Sequence, residues 1–329
     1  MKSIKYFVLL ALVSGLGAQS FTKVGTAGAK FLNIGLSPRA MGMGEAYVAV
    51  ANDPSAVFWN PVGPANLKGD AVFIGYMNWI DGMVTPAVAY THDLKLIGKI
   101  TAILSGTRIG GMQEAIVDED PNTPELTGKE FAYNAAQIGI GYAKYYTDKF
   151  AAGVVFKAIY EGYGSYTSAT SFAIDAGTYF WTGYKTLRIA MTLQNLGADM
   201  KPSGTYMQKV MQGSDLVDIP YEYRNYPLPM VFKIGAAMEA IDKPDMKLTV
   251  SFEATHPTDN EETISIGTEF AYKNMLFLRA GYRIADPNSY VCGLGTGFGF
   301  RLKNLSLDYS FSDMGFLPDV HRIGFSYNF

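Results

Sequence analysis

A period-2 alternation of apolar and polar residues recurs from about residue 70 to the end of the chain, and it constrains the fold more than any other feature. Between Leu305 and Phe311, the residues Leu305, Leu307, Tyr309 and Phe311 share one face, and Ser306, Asp308 and Ser310 share the other. Ile323, Phe325, Tyr327 and Phe329 alternate in the same way with Arg322, Gly324, Ser326 and Asn328. So do Leu248, Val250, Phe252 and Ala254 with Thr249, Ser251, Glu253 and Thr255. Successive side chains of a strand point to opposite faces, so each segment predicts a strand with one apolar and one polar face. The pattern predicts about fourteen strands, over residues 70–79, 83–92, 97–107, 132–146, 150–162, 170–182, 186–196, 228–240, 246–255, 263–273, 275–285, 290–302, 304–312 and 320–329. Strands of about 10 residues suffice to cross a hydrocarbon layer at a tilt.

The connections sharpen this expectation. Counted from the first strand, the even-numbered links are short: Thr147-Asp148-Lys149, residues 242–245, Lys273-Asn274 and Lys303-Asn304. The odd-numbered links include the two longest, 108–131 and 197–227. In an up-and-down barrel, odd and even links lie at opposite ends, so long loops gather at one end and tight turns at the other. Bacterial outer-membrane barrels show this asymmetry. The expected fold is therefore all-β, a transmembrane antiparallel β-barrel over residues 70–329. With an even strand count, both barrel termini fall on the side of the short turns. The apolar ladder that ends on Phe329 looks like the signal read by the outer-membrane assembly machinery.

Composition fits a barrel and excludes other classes. Charged residues are 17% of the 329, against roughly 25% in soluble chains, and aromatics reach 14%. The net charge of -3 leaves no basic excess for nucleic acid. No run of about 18 apolar residues follows the first twenty, so no spanning helix is expected. Residues 1–20 read as a secretory signal peptide: Lys2 and Lys5, then the apolar stretch Tyr6 to Leu16, then small residues. The single cysteine, Cys292, excludes an intramolecular disulfide. Outer-membrane lipid is the expected surrounding.

With the apolar faces turned to lipid, the inward set contains Asp175, Arg188, Lys233, Glu239, Glu253, Glu269, Arg279, Arg283, Arg301, Asp308 and Arg322. Charges of both signs can pair in a lumen, whereas each would be costly against lipid. They read first as the glue of the barrel interior, not as a filter for one ion sign. Gly293, Gly295, Gly297 and Gly299 share one face of the twelfth strand. A wall without side chains lets something approach the backbone, either a plug segment or an apolar ligand. Residues 21–69 lack the alternation. They are rich in Gly, Ala, Met and Pro, with short helices expected near Ala27 to Ile34 and Arg39 to Val48. They read as a plug or hatch in the lumen or across its mouth.

The stretch from Ile34 to Ala65, IGLSPRAMGMGEAYVAVANDPSAVFWNPVGPA, resembles the start of the PorV/PorQ family of outer-membrane barrels, related in design to FadL-type transporters of hydrophobic compounds. The resemblance continues at Phe172 to Tyr179, Leu193 to Gly197, Leu228 to Ala236, Arg279 to Arg283, and Leu307 to Gly315 with His321 and Arg322. The chain departs from it at Val62, where many members have Ala, and at Glu45, where many have Gly. The resemblance implies that Asp53, Pro54, Ser55, Trp59, Asn60 and Pro61 seat the plug, with gating as the sharper alternative. It also implies type IX protein secretion, with translocon, cargo and surface-attachment partners meeting the external loops. Tyr206, Tyr221, Tyr223 and Tyr226 are the candidate contacts there, unless they only pack the loop on itself. The competing reading is a FadL-like passive transporter with a hydrophobic ligand in the lumen; a structural barrel without either role is a third.

No catalytic chemistry is legible. His92, His256 and His321 are scattered, and there is no G-x-S-x-G elbow. The acidic run Asp118-Glu119-Asp120, with Asn122 and Glu125, lacks the glycine of an EF-hand and reads as a solvated loop. The expectation is a non-enzyme without cofactor or metal.

Overall fold

A computed structural model describes residues 24–116, 125–213, 215–284 and 293–329. The signal-peptide segment, Asp118 to Asn122 and Cys292 lie outside the described residues. The strands are β1 (Ala71–Asn78), β2 (Val84–Asp93), β3 (Lys99–Ile116), β4 (Glu125–Tyr145), β5 (Phe150–Tyr163), β6 (Thr167–Trp181), β7 (Arg188–Gly197), β8 (Thr205–Gln212), β9 (Asp215–Glu222), β10 (Val231–Asp242), β11 (Met246–Pro257), β12 (Thr263–Tyr272), β13 (Leu276–Ile284), β14 (Leu294–Leu302), β15 (Leu305–Ser312) and β16 (Val320–Asn328). Fourteen of them, β1–β7 and β10–β16, form one closed antiparallel barrel. Closure is made by β1 and β16, in register from Ala71 opposite Asn328 to Asn78 opposite His321. A closed ring satisfies every edge, the condition for crossing a membrane with strands.

The alternation sorts the faces as the sequence predicts. Ile74, Leu104, Ile138, Ile140, Phe156, Phe172, Leu278, Phe298 and Ile323 are exposed on the outside. Asp175, Arg188, Lys233, Glu253, Glu269, Arg279 and Arg322 are buried on the inside. The short turns are tight because residues there accept left-handed backbone: Lys273, Asn274 and Lys303 have φ of 51°, 53° and 55°.

The two long links are not plain loops. The 108–131 link is largely strand, because β3 and β4 stay paired out to Ile116 opposite Glu125, with two register shifts on the way. The 197–227 link contains a separate hairpin, β8 with β9.

The leading segment, 24–70, runs through the barrel. It starts at the long-loop end, where the Gly25 amide donates to the Asp259 carbonyl (3.2 Å) and Lys30 pairs with the Asp259 carboxylate. It leaves at the short-turn end, where the Phe329 amide donates to the carbonyl of Asp70 (2.8 Å). Its one α-helix, α1 (Pro38–Gly42), is capped by Ser37, whose hydroxyl accepts the Ala40 amide at 3.3 Å. The helix expected over Arg39 to Val48 stops early. Gly44 and Glu45 take φ of 60° and 71°, which reverses the chain. The other expected helix, Ala27 to Ile34, shrinks to the 3-10 turn Lys30–Asn33.

Candidate functional site: the packed lumen

The leading segment meets the wall in two ways. The first is close backbone approach. Met41 to Gly44 lie against glycines of β12, β13 and β14. A Cβ on Gly267, Gly281 or Gly295 would overlap the carbonyl of Met43 or Met41, and one on Gly297 would meet the Gly42 Cα at 3.2 Å. Gly299 instead makes room for Asp308 and Arg279, whose side chains a Cβ would meet at 2.5 Å and 2.9 Å. Gly293 abuts the backbone of Arg283 on the neighbouring strand. Two of the four glycines on this face therefore admit the leading segment, and two serve the wall itself.

The second is charge. Arg39, on α1, makes a two-pronged contact with Glu269 of β12, Nε to Oε2 and Nη2 to Oε1, both 2.7 Å. Glu269 also accepts from Arg279 Nε at 2.7 Å, and Arg279 reaches Asp308 with Nη1 at 2.6 Å. The remaining prong of Arg39 donates to Asn52 Oδ1 (2.6 Å) and Asp53 Oδ2 (3.1 Å). Paired planar groups of this kind are strong and orientation-specific. Arg283 holds Glu45 at 2.7 Å, so the one non-glycine side chain at this left-handed reversal is anchored by an ion pair.

Asp53 organises the motif Asp53-Pro54-Ser55. Its carboxylate accepts the Ser55 amide (2.8 Å), the Ser55 hydroxyl (2.5 Å) and the Tyr47 hydroxyl, which caps the 3-10 turn Pro54–Phe58. Trp59 donates Nε1 to Glu253 at 3.2 Å, and Lys233 Nζ sits 3.3 Å from its ring centre. Glu253, fully buried, also accepts the amides of Tyr47 (2.8 Å) and Val48 (2.7 Å). Asn60 bridges the segment to itself, Nδ2 to the Val48 carbonyl and Oδ1 from the Val62 amide, both 3.2 Å. It fits a notch at Gly177, where a Cβ would overlap Oδ1, and Pro61 rests on Gly153. All six motif residues thus belong to one folded unit inside the barrel.

The loop tyrosines divide. Tyr206, Tyr221 and Tyr223 cluster on the β8–β9 hairpin, with ring centres 6.1 Å and 5.3 Å from Tyr206. Tyr226 is not an outward contact: it is half-buried, covers Gly28 and donates to Glu161 Oε2 at 2.6 Å. Tyr133 donates to the other oxygen of Glu161 at 2.7 Å. The Met200–Tyr226 bridge next to it ties this link to itself, which turns Tyr226 inward. Sequence reading missed Tyr133 and Glu161. It also missed Lys157, which bonds Asp175 (2.8 Å) and Asn195 (2.5 Å).

The wall is not uniform. Among the buried residues of β1–β4 the only charged one is Lys99. The rest are apolar or neutral, including Phe73, Met77, Ala87, Ala89, Ile103, and the hydroxyl pairs Thr85–Thr107 (3.1 Å) and Thr91–Thr101 (2.9 Å). Leu36 and Val57 of the leading segment pack on this apolar side. Here the β2–β3 ladder skips two positions without changing register, between Ala87 opposite Ser105 and Val84 opposite Arg108. Pro86, without an N–H to donate, sits in the gap. A depression of about 480 Å³ lies there, lined by Val84, Pro86, Gly106, Thr107, Arg108 and Gly110 among others. A second cavity, about 380 Å³, lies at the short-turn mouth beside Arg39, Asp53, Arg279 and Arg301. No group of three or more His, Cys, Asp or Glu residues able to hold a metal occurs among the described residues.

A closed fourteen-strand barrel with its lumen filled by the preceding chain is the class the geometry defines. The same fold occurs in the monoaromatic hydrocarbon channel CymD, at 12% identity and a TM-score of 0.62, over 90% of this chain and 98% of that one. It occurs in the toluene transporter TodX of Pseudomonas putida (14%, 0.60, 90% and 98%) and in a Pseudomonas aeruginosa FadL homologue (14%, 0.58, 89% and 98%). At these identities the likeness is one of fold. No family model and no curated protein matches the sequence.

Proposed function

We propose that the protein is a non-enzymatic outer-membrane channel through which small hydrophobic molecules pass by diffusion, with residues 24–69 as its plug. The observation that carries this reading is the nearly uncharged lumen face of β1–β4, beside the two-position gap in the β2–β3 ladder. An apolar solute moving along this face meets one buried charge, Lys99, near the short-turn end. Moving along β10–β16 it would have to separate buried ion pairs. The solved barrels of the same fold support the reading, since CymD is a monoaromatic hydrocarbon channel and TodX a toluene transporter. The test is uptake of labelled toluene by a Gram-negative host lacking its own channels of this kind. Expression raises the uptake rate several-fold if the reading is right; an unchanged rate with the barrel folded in the outer membrane contradicts it.

Type IX secretion, implied by the PorV/PorQ resemblance, is the second reading. The exposed β8–β9 hairpin favours it, presenting Tyr206, Met207, Met211 and Tyr221 to solvent as an aromatic and methionine-rich surface. Recovery of a large translocon barrel or of cargo C-terminal domains in a pull-down from outer membranes, lost when the hairpin is deleted, would support it.

A further inference from the structure

We infer that the cavity at the short-turn mouth is a binding site for an oxyanion, the carboxylate or phosphate group of a compact solute or headgroup. Its lining includes five cations, Arg39, Lys68, Arg279, Arg301 and Lys303, and two carboxylates, Asp53 and Asp308. Both carboxylates are already engaged. Asp53 is held by Arg39, Ser55 and Tyr47, and Asp308 by Arg279. Glu269, next to them, takes both Arg39 and Arg279. That pairing consumes two arginines and leaves Arg301, Lys68 and Lys303 without an ion-pair partner among the described residues.

Arg301 is built for the role. Its Nε donates to the Ser306 hydroxyl at 3.1 Å, and its guanidinium lies 4.9 Å from the ring centre of Phe277. The hydroxyl and the ring fix the plane of the fork, and both terminal nitrogens remain free to donate. A guanidinium held this way matches the two oxygens of a carboxylate or phosphate, and little side-chain freedom is lost on binding. Lys303, at the β14–β15 turn, and Lys68, just before β1, add charge from the rim. At about 380 Å³ the chamber falls within the range of small-ligand sites, about 300–1,000 Å³. The site is separate from the apolar β1–β4 side and does not rest on the passage of hydrophobic molecules.

The test uses the full barrel in phosphatidylcholine vesicles, titrated calorimetrically with inorganic phosphate and with succinate. Both are expected to bind. Arg301→Gln should weaken binding at least tenfold, and Arg301→Lys, which keeps the charge but loses the fork, should fall between. Lys303→Gln, on an exposed turn where folding is not at risk, should weaken binding about threefold and flatten its salt dependence. Repeating the titration in phosphatidylglycerol vesicles separates the sources. Loss of phosphate binding there identifies an anionic lipid headgroup as the occupant, and retention identifies a free solute. The inference is overturned if neither anion binds the wild-type barrel, or if Arg301→Gln, folded by heat-modifiable gel mobility, binds as the wild type does.

Discussion

Two sectors of the barrel wall, β10–β16 and β1–β4, hold the same segment mainly by different physics. On β10–β16, the leading segment is seated by Arg39 on Glu269, by Glu253 on the Tyr47 and Val48 amides, and by backbone lying flat on glycines. On β1–β4, it rests on Phe73, Met77, Ala89 and Ile103 through Leu36 and Val57, with polar contacts confined to the short-turn end: Asn66 with the Tyr145 hydroxyl, Gly69 with Lys99, and Asp70 with His92 and the Asp93 amide. Ionic and backbone contacts are directional, and breaking one in a dry interior strands a charge. Apolar contacts are non-directional and tolerate sliding or an intruding apolar molecule. Under the proposed channel function, one side is the anchor and the other the parting surface along which a solute passes.

Substitutions can break this contrast, and the largest effect is expected at Glu269. Glu269→Ala leaves Arg39 and Arg279 buried without their shared carboxylate, and should cost about 3–5 kcal/mol in guanidinium unfolding of the refolded barrel. A cost under 1 kcal/mol would mean that the anchor is not ionic. Gly281→Val comes next. Its side chain overlaps the Met43 carbonyl, and forcing the segment off the wall should cost about 1–3 kcal/mol and raise protease cleavage within residues 38–50. On the other side, Ile103→Val removes one buried methyl and should cost only about 0.5–1.5 kcal/mol, with uptake retained.

The smallest effect concerns acid. Asp70, at the exit of the leading segment, accepts the Asp93 amide at 2.9 Å and His92 Nδ1 at 2.8 Å, and these bonds hold its carboxyl at about 2. A carboxyl depressed in the folded state stabilises above its unfolded value, near 4, and that contribution disappears as pH falls through about 2. Asp70→Asn should therefore remove a small stabilisation measurable at pH 6 and converge with the wild type near pH 2.

The wall was more legible in the sequence than the lining of the lumen. Alternation reports which face a residue takes, so the fourteen barrel strands and most of their inward charges follow from it, while the inward Lys99, Lys157 and Glu161 were not picked out. Alternation is silent on partners. Arg39 finds Glu269 across 230 positions only because the leading segment threads the barrel, and no local pattern encodes that path. An arginine next to a proline in a charge-poor segment was the available signal. The β8–β9 hairpin was hidden for the opposite reason: nearly all of its residues are exposed, so neither face carries an apolar stripe. The helix expected over Arg39 to Val48 ends early because Gly44 and Glu45 take left-handed backbone, where the chain turns back.

The contrast between anchor and parting surface is tested most directly by two cysteines of matched burial, Val57→Cys and Met43→Cys, each on a Cys292→Ser background. Val57 is 1% exposed and Met43 is 0% exposed, and they differ in which sector of the wall they face. The measurement is the rate of alkylation by an apolar maleimide, in vesicle-embedded barrels with and without toluene. Val57→Cys should react faster, and faster still with toluene, while Met43→Cys stays protected under both conditions. Equal rates, or faster labelling at Met43→Cys, would contradict the division of the lumen into an anchored and a parting side.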